Sequence, residues 1–506
     1  MVLSMLLPYM VLALAAILLL RRKHKPRESS LPAAPPGPVG LPLIGNAFTF
    51  FGLLRHNPHR ALARLAGTYG PIFSFRPGTT CAFVVLSSPA MAREALAERE
   101  AALAARFVPD SVRALGYGAG SMAFLPSSDP LWKQHRVTAG AFLTSSRGLT
   151  ATRPVRNRHA SRLAVRLRAR SGRPVKVGEA VFGAANNVIS NILFSEDVVD
   201  DDLAGVQGER PPPFERIVGV LFQEWAKPNV SDAFPFLAPL DLFGSRRRTS
   251  RNLAQLYELF HGLVDRRLAS GENHGDMLDA VLLERHAKSQ LTRSDIAKLF
   301  TDMFIGASET SNLTVEWATA HLLRHGDKME KLRAEIAASL GSKDFVEEGD
   351  LGNLPYLHAV VKETLRLHPA VPVVTREVAA DGVSLGGFPM ATGTCILVNL
   401  WAIGRDPDVW PDQPEAFMPE RFLGAGAALH FRGSDFAYRP FGAGRRMCPG
   451  LDFAARFVPL VLASMLHKIE WTLPEGMVPE DVDLSEHCTL VLKLAKPLIA
   501  VPVSTP

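Results

Sequence analysis

The sequence predicts a mainly α-helical chain with small β-sheets, carried behind a single N-terminal transmembrane helix. Three observations lead there: helical periodicity dominates, the few alternating apolar runs span only three to five residues, and the first 20 residues are almost wholly apolar. An apolar helix of that length reaches about 30 Å, the thickness of a bilayer core. Met1 to Leu20 is therefore long enough to span once. Five basic residues, Arg21, Arg22, Lys23, Lys25 and Arg27, follow the apolar run. A cleaved signal peptide would carry its charges in front, and the positive-inside rule puts everything from Arg21 onward in the cytosol. A buried core helix fits less well, because basic residues and prolines follow at once.

Pro32, Pro35-Pro36-Gly37-Pro38 and Leu41-Pro42-Leu43-Ile44-Gly45 fix φ repeatedly and withhold backbone donors. Residues 21–46 thus read as a stiff basic and proline-rich hinge between a membrane anchor, 1–20, and a globular domain, 47–506. Alternating runs at Ile72 to Phe75 and Ala82 to Leu86 flank Arg76-Pro77-Gly78 and predict a hairpin. Val383 to Leu385 and Ile396 to Asn399 are further strand candidates. Thr292 with Asp295 makes a capping-box signal ahead of a long apolar-striped helix running from Asp295 to Leu323.

A hydrophobic fraction of 47%, with Gly and Pro spread along 506 residues, excludes a disordered tail or a collagen. Four scattered cysteines, Cys81, Cys395, Cys448 and Cys488, form no C-x-x-C pair, so neither a disulfide framework nor a zinc ribbon is expected. Most of the net charge of +6 sits in the short stretch after the anchor. The body is close to neutral, which argues against a nucleic-acid binder. One region departs from that balance: residues 132–176 carry twelve Lys and Arg and no Asp or Glu. Such a run is either solvated helix faces or a dock for an acidic protein or anionic lipid.

In Phe441-Gly442-Ala443-Gly444-Arg445-Arg446-Met447-Cys448-Pro449-Gly450, one cysteine sits in a glycine-rich loop beside two arginines and before a predicted helix. Backbone donors and cations there would lower the thiol pKa and make a nucleophile or a metal ligand. Glycines would also let the backbone approach a large flat ligand. The pattern F-x-x-G-x-R-x-C-x-G, at Phe441, Gly444, Arg446, Cys448 and Gly450, resembles the haem-ligand loop of the cytochrome P450 family. The resemblance implies the P450 fold, haem b with iron held by the Cys448 thiolate, and a monooxygenase in which that thiolate promotes cleavage of dioxygen.

Other motifs stand in the family's order. Glu363-Thr364-Leu365-Arg366, with Arg421 in Pro419-Glu420-Arg421-Phe422, resembles its three-residue ion-pair core. Trp132-Lys133-Gln134-His135-Arg136 matches its W-x-x-x-R helix, and the resemblance assigns Trp132, Arg136, Arg376 and Arg446 to the haem propionates. Gly306-Ala307-Ser308-Glu309-Thr310-Ser311 places an acid beside a hydroxyl inside the long helix. Alone, that is either proton delivery or a threonine bonded back to its own helix with a solvent-facing acid. The resemblance makes Glu309 and Thr310 the catalytic acid–alcohol pair, with Ala307 replacing the family's usual glycine.

Gly116-Tyr117-Gly118-Ala119-Gly120 and Gly442-Ala443-Gly444 lack the third glycine of a dinucleotide loop, so nicotinamide is not expected to bind this chain. The resemblance then implies electrons from NADPH–cytochrome P450 reductase at the endoplasmic reticulum membrane, with Lys133 and Arg136 on the docking side. Finer similarity is to plant microsomal enzymes of the geraniol 8-hydroxylase type, including cereal enzymes that oxidise labdane-related diterpenes. It rests on the segments 186–195, 227–235 and 241–248. Expected pocket walls are 106–124, 303–307, 370–374 and 489–492, mostly apolar and suited to a lipophilic substrate taken with O2. Two other readings carry less weight. A haem-thiolate isomerase or dehydratase would lack the acid–threonine pair, and a non-catalytic haem-binding membrane protein would have no use for it.

Overall fold

The computed structural model describes residues 34–53, 57–80, 82–199, 213–286 and 291–505. The expected membrane helix lies outside these. Among the described residues, no helix is long and apolar enough to cross a membrane.

The helices that build the site are α1 (Pro130–Leu143), α2 (Arg153–Ala169), α3 (Val177–Phe194), α4 (Pro213–Ala226), α5 (Ser245–Ser270), α6 (Arg293–Arg324), α7 (Pro355–Leu367) and α8 (Leu451–Leu466). The longest, α6, starts where the sequence puts a cap. The Thr292 hydroxyl accepts from the Asp295 amide at 3.1 Å, and the Asp295 carboxylate accepts from the Thr292 amide at 3.0 Å. From Leu299 to Leu323 every residue of α6 is buried except Gly306, Ala307 and Thr310. A helix buried on all sides belongs at the centre of a fold. Phe304 marks that centre, with ring centroids 5.8 Å from Phe194 of α3, 4.7 Å from Phe214 of α4 and 5.6 Å from Phe260 of α5.

The sheets are small, as expected. β1 (Ile72–Phe75) and β2 (Phe83–Leu86) form the antiparallel hairpin, and β2 runs parallel to β7 (Cys395–Asn399), which pairs antiparallel with β4 (Val373–Glu377). β5 (Val383–Leu385) pairs with β6 (Phe388–Met390), β9 (Glu486–Cys488) with β10 (Leu492–Leu494), and β11 (Ile499–Ser504) with both β3 (Val175–Lys176) and β8 (Ile469–Thr472). The described end of the proline-rich stretch is strapped to β1 rather than held away from it. The Ser74 amide donates to Pro36 O at 2.7 Å and its hydroxyl to Pro35 O at 2.8 Å. Prolines lend only acceptors, which suits them to the edge of a strand.

Candidate functional site

The loop from Phe441 to Gly450 leads into α8, and its backbone folds around the cysteine. The Cys448 amide donates to Phe441 O at 3.0 Å. Gly442 and Gly444 take φ of +70° and +69°, where a side chain would be strained. At Gly444 an added Cβ would also lie 2.7 Å from Leu96 O. Phe441 packs edge-on to Phe431 at 5.0 Å, and Arg445 pairs outward with Glu100 at 2.7 Å. Cys448 as a whole is half-buried, with protein packed about its thiol.

That enclosure corrects one expectation. Burial pushes the Cys448 thiol up from its ordinary value, and the Gly450 amide, Arg136 and Arg106 only partly offset it. The sequence shows the donors and cations but not the loss of water, which disfavours the thiolate more than they favour it.

Around the loop four guanidinium groups come together. Arg446 donates to Ala104 O at 2.7 Å, Met122 O at 3.2 Å and Leu125 O. Arg136, from α1, donates to Met447 O at 3.0 Å, and Arg376, from β4, to Thr375 O at 2.8 Å. Trp132, also on α1, meets two of them, with the Arg446 and Arg136 guanidinium carbons 5.1 Å and 5.7 Å from its ring centroid. Its indole N–H is bonded to Met122 O at 3.1 Å. The fourth cation is Arg106, which the motif reading did not single out; its Nε is buried with no hydrogen-bond partner.

These cations raise one another's energy. Burial, then Arg106 and Arg446, lowers Arg376 well below the usual guanidinium value. Burial, Arg106 and Arg136 bring Arg446 down to about 9. A cationic cluster enclosed with an orphaned donor calls for an anion. A cofactor bearing carboxylates fits it, and a metal would hold the enclosed thiol as thiolate. No cluster of three or more His, Cys, Asp or Glu able to hold a metal occurs among the described residues. One sulfur would suit an iron that brings its remaining ligands with its cofactor. The residues present therefore fit haem, with Cys448 as protein ligand and Arg106, Arg136, Arg376 and Arg446 about its carboxylates.

On α6, Gly306, Ala307 and Thr310 are the open face of an otherwise buried stretch, and nothing lies within 4 Å of a Cβ added at Gly306. The helix stays regular there: the Thr310 hydroxyl donates to Gly306 O at 2.7 Å and Ser308 to Phe304 O at 2.7 Å. Glu309 is not solvent-facing. It is buried and ion-paired with Lys493 of β10. Acid and alcohol are thus adjacent in sequence but turned to different partners.

Glu363, Arg366 and Arg421 do meet. Arg366 grips both oxygens of Glu363 at 2.6 and 2.8 Å, and Arg421 Nε lies 3.4 Å from Oε1. Arg366 also donates to Gly404 O, Pro414 O and Ala416 O at 2.5, 2.7 and 3.0 Å, and the Met418 amide donates to Glu363 at 2.8 Å. The pair therefore fixes the irregular chain between 404 and 421.

The four expected pocket walls are stitched to α6 or to one another. Asp302 of α6 accepts from Tyr117 at 2.5 Å, Ser121 at 2.6 Å and the Met122 amide at 2.6 Å, tying down residues 117–122. The Leu492 amide donates to Ala370 O, and Trp317 of α6 to Leu492 O, both at 3.0 Å. Burial pushes Asp302 up to about 6 against those hydrogen bonds. Asp302 and Lys493 escaped sequence reading because single charges in apolar runs carry no motif.

Part of the acid-free stretch 132–176 is paired with acids from elsewhere. Arg156 is buried against Glu348 at 2.5 Å, Arg162 pairs with Asp197 at 3.0 Å, and Lys176 pairs with Glu179 at 2.7 Å. Lys133, Arg147 and Arg173 stay exposed, with no acid in ion-pair range among the described residues.

Residues 35–500 match the family model described as Cytochrome P450. The chain is 44% identical over 480 residues to cytochrome P450 76M5 of Oryza sativa subsp. japonica, covering 94% of this chain and 93% of that one. Against ent-cassadiene C11-alpha-hydroxylase 1 of the same plant, identity is 42% over 489 residues, or 96% and 95% of the two chains. Geraniol 8-hydroxylase of Catharanthus roseus is 38% identical over 474 residues, 92% and 93% of each.

Proposed function

From the premise that this chain belongs to the cytochrome P450 family, we propose that it hydroxylates a terpenoid, a labdane-related diterpene or a monoterpene, in plant specialised metabolism. The chain is a haem-thiolate oxidoreductase and a monooxygenase, taking electrons from a redox partner and oxygen from O2. The observation that carries the terpenoid reading is its near full-length likeness to an ent-cassadiene hydroxylase and a geraniol 8-hydroxylase. Its mostly apolar walls at 106–124, 303–307, 370–374 and 489–492 suit such a ligand.

When bound, haem iron supplies the activation of dioxygen. The chain's own residues do the rest. Cys448 gives the iron its thiolate, with the Gly450 amide and two arginines steadying the sulfur charge. Arg106, with its unpartnered Nε, and Arg136, Arg376 and Arg446, by exchanging carbonyl partners for anionic ones, would hold the cofactor's carboxylates beside Trp132. Phe441, Gly444 and Gly450 shape the loop. Thr310 passes a proton from its hydroxyl and regains one from Glu309, once each turns from its present partner.

The partner in this reading is NADPH–cytochrome P450 reductase of the endoplasmic reticulum, docking at the exposed cations Lys133, Arg147 and Arg173. The protein is held in that membrane by residues 1–20, with its catalytic domain in the cytosol. Lipid contact also draws support from exposed Leu41, Leu43, Phe48, Phe236, Leu242 and Phe243. Their segments meet at the Pro77–Thr79 turn, where Gly78 N donates to Ile44 O at 3.1 Å and Thr79 N to Ala233 O at 3.0 Å.

The test is conversion of a panel of monoterpenes and labdane-related diterpenes by microsomes holding this chain and a plant reductase. An NADPH-dependent product heavier by one oxygen is the expected result. A preparation with an intact thiolate spectrum that converts only phenolics, fatty acids or xenobiotics contradicts the terpenoid reading.

A further inference from the structure

Behind Glu309 lies a group of charges that the pocket does not explain. Lys493 of β10 is its ion-pair partner, and the lysine side chain is 28% exposed, so the pair reaches from the buried helix towards water. Seven residues along α6, Glu316 is buried; its carboxylate accepts from the Leu498 amide at 3.1 Å and fills the space left by Gly178 of α3, where an added Cβ would lie 2.7 Å from Oε1. Glu215 enters from α4 with Oε2 buried and without a hydrogen-bond partner. Glu179 of α3 and Lys176 of β3 pair at 2.7 Å on the outer side, each about one-fifth exposed.

Four elements around α6 thus contribute to one set of four carboxylates and two ammonium groups. The charges act on each other. Burial first, then Glu179 and Glu309, push Glu215 up to about 7, with Lys493 and Lys176 pulling down. Burial likewise takes Glu316 up to about 7, against the Leu498 amide and Lys493, with Glu309 and Glu179 adding to the rise. Near neutral pH these two acids hold a proton part of the time, which is the condition for passing one on.

We propose that Glu215 and Glu316 are the proton store that reloads Glu309, and that Lys493 is the positioning residue that sets the orientation and charge of Glu309 between transfers. This rests on the reading of Glu309 and Thr310 as the proton-delivering pair. Each proton that leaves the cluster through Thr310 is replaced by one taken from water. Glu309, as carboxylic acid, gives its proton to Thr310 and becomes the carboxylate that Lys493 stabilises. Glu215 or Glu316 then gives up a proton to restore Glu309, and is itself refilled from water through the partly exposed Glu179 and Lys176.

The test compares Lys493→Met, Lys493→Arg, Glu215→Gln and Glu309→Gln in the full-length, membrane-bound enzyme, with two readouts. The first is product and peroxide formed per NADPH. Lys493→Met and Glu215→Gln are expected to lower product per NADPH by about an order of magnitude, with peroxide making up the loss and the thiolate spectrum unchanged; Lys493→Arg recovers it. The second readout is independent of turnover: the infrared carbonyl band of protonated carboxylic acids, titrated in the resting protein. Glu215→Gln is expected to remove part of the band that titrates near pH 7. Lys493→Met is expected to move the remainder to higher pH, because a cation favouring the carboxylates has gone.

Coupling and band both at wild-type values in Lys493→Met and Glu215→Gln, while Glu309→Gln uncouples, would overturn the store and leave the acid–alcohol pair standing. Full coupling in Glu309→Gln overturns both. Should Lys493→Met fail to fold, Glu215→Gln and Lys493→Arg decide the matter by the same two measurements.

Discussion

Replacing Cys448 by alanine is expected to abolish the red-shifted Soret band of the reduced carbon monoxide complex and all NADPH-dependent turnover, while the fold survives. The loop keeps its shape in that variant because its shape is backbone-made: the residue 448 amide still reaches Phe441 O, and Gly442 and Gly444 keep their left-handed conformations. The enclosed arginines also remain to hold an anionic cofactor. What disappears is the single sulfur, and the described residues offer no grouped His, Cys, Asp or Glu to replace it. Haem content measured beside the spectrum separates the two effects. A retained red-shifted band would remove Cys448 from the ligand position.

Glu363→Ala is expected to have the second-largest effect, this time on folding. The carboxylate and the Arg366 guanidinium are wholly buried, so the variant leaves a charge in the core with no counter-charge. Breaking such a pair from one side costs about 3–5 kcal/mol, a large share of a typical stability. The Met418 amide loses its acceptor and Arg421 its anion in the same step. Expression is expected to give mostly haem-free protein with a lowered thermal midpoint. The double variant Glu363→Ala/Arg366→Leu separates two roles. An isolated ion pair can often be replaced by apolar residues at little cost. Here the carbonyls of Gly404, Pro414 and Ala416 would be orphaned as well, so no recovery is expected. Recovery in the double variant would show that the pair does not anchor the 404–421 segment.

Much of this was legible in the sequence, for a physical reason. The capping box at Thr292 and Asp295, the Glu363–Arg366 spacing and the 72–86 hairpin are local devices, set by residues three or four apart or by a short turn. The Phe441–Gly450 loop is local too, and Gly442 and Gly444 stand where the backbone needs positive φ. Relations across the chain were not legible. Arg106 completes the cation cluster from 340 residues before Arg446, and nothing about a lone arginine announces it. Lys493 reaches Glu309 from 184 positions away. Glu486 gathers His59 at 3.0 Å, Arg60 and the Trp401 indole at 3.0 Å, a polar core no spacing predicts. Burial was hidden as well, which is why the direction of the Cys448 thiol differs from expectation.

The most direct measurement of the central claim is the source of the oxygen in the product. Microsomes holding this chain and a plant reductase, given NADPH and a converted terpenoid under heavy-isotope dioxygen, should yield product in which the added oxygen carries the label. Product that forms with unlabelled oxygen, or without NADPH, would contradict monooxygenation and favour the isomerase or dehydratase chemistry that needs neither.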